Sequence, residues 1–243
     1  MADDIFARTE ALVGSEALSR MAGTRVLLFG VGGVGSWCAE ALIRSGIGHL
    51  TIVDPDCVDA TNINRQLPAT TLTVGQPKVE VMRRRLLEIN PTANIIARQE
   101  RFTADTAATF HLEEYDYVID CIDSIADKME LILVCSGECV VGSNEDRMLH
   151  TAHCQLPIFF SAMGAACKMD PTQVRVSEFW KIDGCPLAAK LRKRMRRAQR
   201  FPERKFKCVW SPEVIRGTTK GSMVHVTATV GMTLAGLVLR DIH

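Results

Sequence analysis

The run Gly30-Val31-Gly32-Gly33-Val34-Gly35-Ser36 constrains this chain more than any other feature. It is preceded by the apolar, strand-like segment Arg25–Gly30 (RVLLFG) and followed by a helical pattern over Val34–Ser45. Glycines are required where a backbone turns tightly and comes close to another group without a Cβ in the way. Free N–H groups at the start of the following helix then face an anion. A strand, a glycine turn and a helix in that order are the opening unit of a parallel α/β sheet.

The rest of the chain keeps the same alternation. Strands are expected at His49–Asp54, Asn94–Gln99, Asp116–Asp120 and Leu156–Phe160, and helices at Pro77–Ile89 and Ser124–Cys139. The expected fold is α/β: a Rossmann-like, doubly wound, mainly parallel sheet with flanking helices. No internal repeat, low-complexity tract or Pro/Gly-rich linker interrupts it, so residues 1–243 are expected to form one domain. The uncharged run Ser222–Leu239 is about long enough to span a membrane, but it carries His225, three threonines and two glycines. A buried helix is the better reading.

Composition narrows the function classes. With 47% hydrophobic residues and a formal net charge of +1, the chain is neither disordered nor globally drawn to a polyanion or a membrane. Charge is local instead: 190–207 (KLRKRMRRAQRFPERKFK) holds ten Lys or Arg and one Glu, a net +9. The remainder therefore carries 1 − 9 = −8. A solvated helix face and a polyanion-binding patch are both open readings of that run. The nine cysteines are scattered, and MADDIFARTE lacks the apolar centre of a secretion signal, so reduced thiols and a cytoplasmic location are expected.

Candidate site residues gather after the strands. Gly30, Gly32, Gly33, Gly35 and Ser36 would cradle phosphates. Asp54, about 20 residues on, ends the next strand where a carboxylate can accept both ribose hydroxyls. Taken alone, these residues favour a dinucleotide. Asp56, Asn62, Arg65, Gln66 and Lys78 shift the balance, because they converge on the same edge. Hydride transfer breaks no phosphate bond and has little use for an Arg and a Lys there, whereas ATP cleavage develops charge on the triphosphate. Asp123, followed by Ser124 in DCIDS, is placed to hold Mg²⁺, although Asp123–Ser124 could also simply start a helix.

The segments GVGGVGS, IVDPDCVDATNINRQ, GQPKVE and DCIDS resemble the ThiF-like adenylating family, which includes the ubiquitin-activating enzymes and the sulfur-carrier adenylyltransferases. Within it, RTEALVGSEAL, NINRQLPA, SAMGAACKMDPTQ, CPLAAKLRKRM and GSMVHVTATVGMTLAGLVLRDI are most similar to the branch of tRNA threonylcarbamoyladenosine dehydratases. The resemblance implies ATP-dependent, Mg²⁺-assisted activation of a carboxylate on a modified adenosine beside the tRNA anticodon, followed by cyclisation with loss of water. It implies catalytic roles for Arg8, Asn62, Arg65, Lys78 and Asp123, with Arg8 acting across a homodimer. It also implies tRNA contacts from Lys190, Arg192, Lys193, Arg194, Arg196, Arg197 and Arg200, and allows a monovalent cation (K⁺ or Na⁺) and a sulfur-relay protein as partner.

Two departures stand out. The paired CxxC motifs of structural zinc are missing, Cys135 and Cys139 being spaced CxxxC, so no structural zinc is expected. Residues 136–155 read as an insertion without an assignable role. Cys185 and Cys208 are the nearest candidates for sulfur chemistry, and small buried residues is the better reading of both. The alternative within the same fold is an adenylyltransferase acting on the C-terminal Gly-Gly of a ubiquitin-like or sulfur-carrier protein. Outside that activity stand an NAD-linked oxidoreductase and a nucleotide-binding regulator without catalysis.

Overall fold

The structure is a computed structural model that describes residues 5–140, 156–215 and 221–243. Its central feature is a seven-stranded sheet. In chain order, β1 (Arg25–Phe29), β2 (His49–Val53), β3 (Asn94–Arg98), β4 (Tyr117–Asp120) and β6 (Ile158–Ala162) are joined by β7 (Arg175–Glu178) and β9 (Lys207–Trp210). A separate two-stranded ribbon pairs β5 (Glu138–Val140) with β8 (Arg200–Pro202). The sheet order is β3-β2-β1-β4-β6-β9-β7, parallel throughout except for β7, which runs antiparallel to β9.

Strand residues alternate between two cores, as a sheet covered on both faces requires. Val26, Leu28, Leu50, Ile52 and Ile119 point to one side. There they pack on α2 (Ser15–Gly23), α3 (Gly35–Arg44), α4 (Lys78–Ile89) and α7 (Val224–Ile242). Leu27, Phe29, Val53, Val118 and Phe159 point to the other, against α5 (Ile125–Ser136) and α6 (Pro186–Ala198). The doubly wound expectation therefore holds. The run at 222–239 lies largely within α7, whose Val226, Val230, Leu234 and Val238 are buried in the first core. Among the described residues no helix is long and apolar enough to cross a membrane.

Two expectations are corrected. The helix foreseen to Cys139 stops at Ser136, because Gly137 turns the chain at φ +71° and Glu138–Val140 becomes a strand. The basic run 190–207 is not one helix face: α6 ends at Ala198, Gln199 adopts a left-handed conformation, and β8 and β9 follow. The edge strand β7 and the ribbon strands left no periodic signal, being three or four residues long. Most of the insertion at 136–155, namely 141–155, lies outside the described residues.

Placement of the site follows from strand order. After β1 the chain builds β2 and β3 to one side, then returns to place β4 on the other. The carboxyl ends of β1 and β4 thus flank a crevice, where open α/β sheets bind ligands.

Candidate active site

A cavity of about 1000 Å³ opens at that crevice. Gly30, Gly32, Gly33 and Val34 form one wall and Cys121, Asp123 and Ser124 another, with Asp54, Asp56, Arg65, Gln66 and Lys78 completing the nucleotide side. The glycine run is dictated by close approach. Gly30 sits at φ +88°, and a Cβ there would lie 2.7 Å from the carbonyl oxygen of Cys121. A Cβ on Gly35 would lie 1.8 Å from the carbonyl oxygen of Gly30. Among the described residues no side chain caps the N-terminus of α3, so its polarity is directed at whatever enters the cavity.

Asp54 is buried and holds the loop: its Oδ2 accepts from the Val31 N–H at 2.7 Å and its Oδ1 from the Asp56 N–H at 2.9 Å. Burial raises its pKa above the ordinary aspartate value of 3.8, with Lys78 and these hydrogen bonds opposing the rise. Lys78 is itself buried and pairs with the exposed Asp56 at 2.9 Å, which keeps its ammonium at the cavity wall. The Arg65 guanidinium donates to the Thr61 carbonyl and to Asn64 Oδ1, while its stem packs against Gly33. Gln66 is only 9% exposed, and its Oε1 has no hydrogen-bond partner among the described residues. A buried acceptor left open on a cavity wall fits a site that a donor-bearing ligand completes.

Acids on the wall differ in one respect. Asp54, Asp56, Glu100 and Asp127 are engaged, the last two by Arg98 and Arg101. Asp123 is exposed on the cavity wall and has neither hydrogen bond nor ion pair among the described residues. It is the carboxylate available to a divalent cation. No cluster of three His, Cys, Asp or Glu is found among the described residues, so such an ion would draw its other ligands from phosphates and water.

Several expected residues take other places. Asn62 does not line the cavity; its Oδ1 accepts from the Asp59 N–H in a reciprocal cap of a short turn. Ser36 is buried and donates to the Gly32 carbonyl, supporting the loop from behind. Ser124 lines the cavity and caps α5 through the Asp127 N–H. Arg8 is exposed on α1 (Ala7–Val13), which has no buried residue, and does not reach the cavity of its own chain. Of the basic set, Lys190 lines the cavity, and Lys193, Arg194, Arg196 and Arg197 are exposed on α6. Arg192 instead donates to the Phe179 and Ile182 carbonyls, and Arg200 is bound by Glu130 and Glu138. Neither guanidinium is presented to a partner, which corrects the reading of a uniformly available run.

Some functional candidates escaped the sequence. Lys128 and Asp120 form a fully buried ion pair at 2.8 Å beneath the cavity. A signal existed: Lys128 shares the apolar face Leu131, Ile132, Cys135 of α5, where a cation needs a buried partner. Lys168 lines the far wall and donates to the backbone carbonyls of Ser211 and Glu213, residues no local pattern connects to it. Burial lowers its pKa. Burial pushes the thiols of Cys121, Cys135 and Cys208 well above the usual range, so none of these three is presented as a thiolate.

The sequence model of the ThiF family matches residues 6–240. The tRNA threonylcarbamoyladenosine dehydratase of Bacillus subtilis is 40% identical over 79% of this chain and 69% of its own length. The crystal structure of the Escherichia coli tRNA N6-threonylcarbamoyladenosine dehydratase in complex with ATP superposes with a TM-score of 0.83 at 35% identity, covering 98% of this chain and 93% of that one. The sulfur carrier protein ThiS adenylyltransferase of Escherichia coli is 32% identical over 51% of this chain and 49% of its own length.

Proposed function

This chain belongs to the ThiF family, and on that premise we propose that it is an ATP-dependent tRNA threonylcarbamoyladenosine dehydratase. One observation carries the reading. The glycine loop, Arg65, Lys78 and the unengaged Asp123 line one cavity at the sheet's switch point, and Lys190 at the foot of the basic helix lines the same cavity.

The chemistry follows from that arrangement. A free carboxylate is a poor electrophile until one oxygen bears a good leaving group. Its oxygen attacks the α-phosphorus of ATP, the bond to the β-phosphate oxygen breaks, and pyrophosphate leaves with the electron pair. An atom of the same modification then attacks the acyl carbon, AMP departs, and the ring closes with net loss of one water. The N-terminus of α3, Arg65 and Lys78 stabilise the charge that develops on the departing phosphates. Magnesium, when bound, neutralises phosphate oxygens, and Asp123 is the side chain that would hold it. Because closure is intramolecular, holding one conformer supplies up to about 7–11 kcal/mol of the barrier.

Around this centre, 1–243 acts as one adenylating domain in the cytoplasm. Lys190, Lys193, Arg194, Arg196 and Arg197 hold tRNA phosphates, and Arg8 completes the site of a second copy in a homodimer. A sulfur-relay protein is a further partner consistent with the family. The deciding experiment supplies ATP, Mg²⁺ and tRNA carrying threonylcarbamoyladenosine, followed by mass spectrometry of the nucleosides. Loss of one water's mass from the modified adenosine is expected. Pyrophosphate release that requires a small carrier protein, with the modified tRNA unchanged, would overturn this reading in favour of an adenylyltransferase.

A further inference from the structure

We infer that Lys128 and Asp120 are positioning residues: together they clamp the backbone N–H and C=O of Ile122 and so fix Asp123 against the glycine loop. The inference rests on the adenylation reading for its catalytic consequence and on geometry for its mechanism. Both side chains are 0% exposed. Asp120, the last residue of β4, accepts the Ile122 N–H on Oδ1 at 3.0 Å. The Lys128 ammonium, one turn into α5, donates to the Ile122 carbonyl at 2.8 Å and pairs with Asp120 Oδ2 at 2.8 Å. Ser161 on β6 donates to the same Oδ2 at 2.6 Å. The preceding strand and the following helix therefore grip both polar groups of Ile122, immediately before Asp123, while Ser161 of the neighbouring strand steadies Asp120.

That residue needs such a grip. The sheet's ladder ends with the Cys121 N–H bonded to Phe29, and beyond it the chain leaves β4 toward the cavity. The carbonyl of Cys121 leaves no room for a Cβ on Gly30. A shift of this loop would move Asp123 and the phosphate wall together. Asp123 makes no bond of its own among the described residues, so its position is inherited from Ile122. Burying an ion pair is costly, and a hydrophobic pair of similar volume would stabilise the fold as well or better. Keeping the charges here accords with a need to orient rather than to stabilise.

The test compares Lys128→Met, the charge-free pair Asp120→Asn/Lys128→Met and the unaltered enzyme, each confirmed folded by circular dichroism. Amide hydrogen exchange over 121–124 should accelerate about tenfold or more in Lys128→Met, with β1 and β2 unchanged. At saturating ATP, kcat should fall about a hundredfold, the cost of a misplacement near 1 Å, while the ATP KM changes less than about threefold. The Mg²⁺ concentration for half-maximal rate should rise. Should Lys128→Met not fold, the double variant retains a balanced interior and carries the same two readouts. Unaltered exchange and unaltered kcat in either folded variant would overturn the inference. Faster exchange alongside an unaltered enzyme inactive on modified tRNA would instead sink the dehydratase reading and uphold the clamp.

Discussion

At the scale of single residues, the cavity distinguishes side chains left free to meet a ligand from those that hold the wall. Asp123 belongs to the first group, being exposed and unengaged among the described residues. Asp123→Ala should lower turnover roughly a hundredfold or more, by analogy with loss of one charge-stabilising group, while melting at the unchanged temperature. Steady-state kinetics with a thermal melt of the same sample checks both. Asp54 holds the wall by accepting two loop amides, and its proposed second role is to bind the ribose. Asp54→Ala should raise the ATP KM and lower stability together, which steady-state kinetics and urea unfolding would separate. The pH dependence has a definite sign. A carboxyl whose folded pKa is raised above 3.8 binds more protons in the folded state, so stability falls as pH climbs from 3.8 through the raised value. Asp54→Asn should flatten that decline in melts collected across the acidic range, relative to the unaltered chain.

Helices and strands show how one basic run divides its labour. On α6, Leu191 and Met195 are buried, which turns Lys193, Arg194 and Arg197 outward. Removing those three cations should weaken tRNA binding across sequences and flatten its log–log salt dependence by about 0.7–0.9 per lost phosphate contact. Filter binding over a salt series would measure it. Arg200, only a few residues on, ties the β5–β8 ribbon to α5 through Glu138 and Glu130. Arg200→Ala should cost about 1–3 kcal/mol of stability in urea unfolding, since two carboxylates lose their partner, and should leave that salt slope unaltered. Elsewhere, α7 crosses α3 at Gly231, where a Cβ would stand 2.4 Å from the Val34 carbonyl oxygen. Overpacking of this kind costs about 1–3 kcal/mol and here would press on the residue just before the α3 N-terminus.

For the whole molecule, the proposed homodimer is what α1 and Arg8 bear on. Helix α1 buries none of its residues, Leu12 is 83% exposed, and Arg8 lines no part of its own chain's cavity. If Arg8 completes a partner's site, mixing Arg8→Ala with Asp123→Ala protein should recover part of the lost activity through hybrid dimers. A mixture as inactive as either variant would refute the shared site.

The sequence alone specified the doubly wound sheet and the nucleotide edge, because both rest on local physics. Alternating β-branched and helical runs are read within a dozen residues, and a glycine run between strand and helix has few other uses. Gly30, Gly32, Gly33, Asp54, Arg65, Gln66, Lys78 and Asp123 were all legible for that reason, each lying in the segments after a strand end, and all line the cavity. The roles of Asn62 and Ser36 were not legible, because a side chain that caps a turn or props a loop carries the same letters as one that binds a ligand. Only the tertiary structure decided which cations are spent: Arg200 meets Glu130 and Glu138 across more than sixty positions of chain, and Arg192 is turned onto backbone carbonyls. It alone also brought Asp120, Lys128 and Ser161 to one point, and Lys168 to the carbonyls of Ser211 and Glu213. A buried charge is partnered by whatever the folded chain places beside it, and that neighbour is set by the packing of strands and helices rather than by distance along the chain.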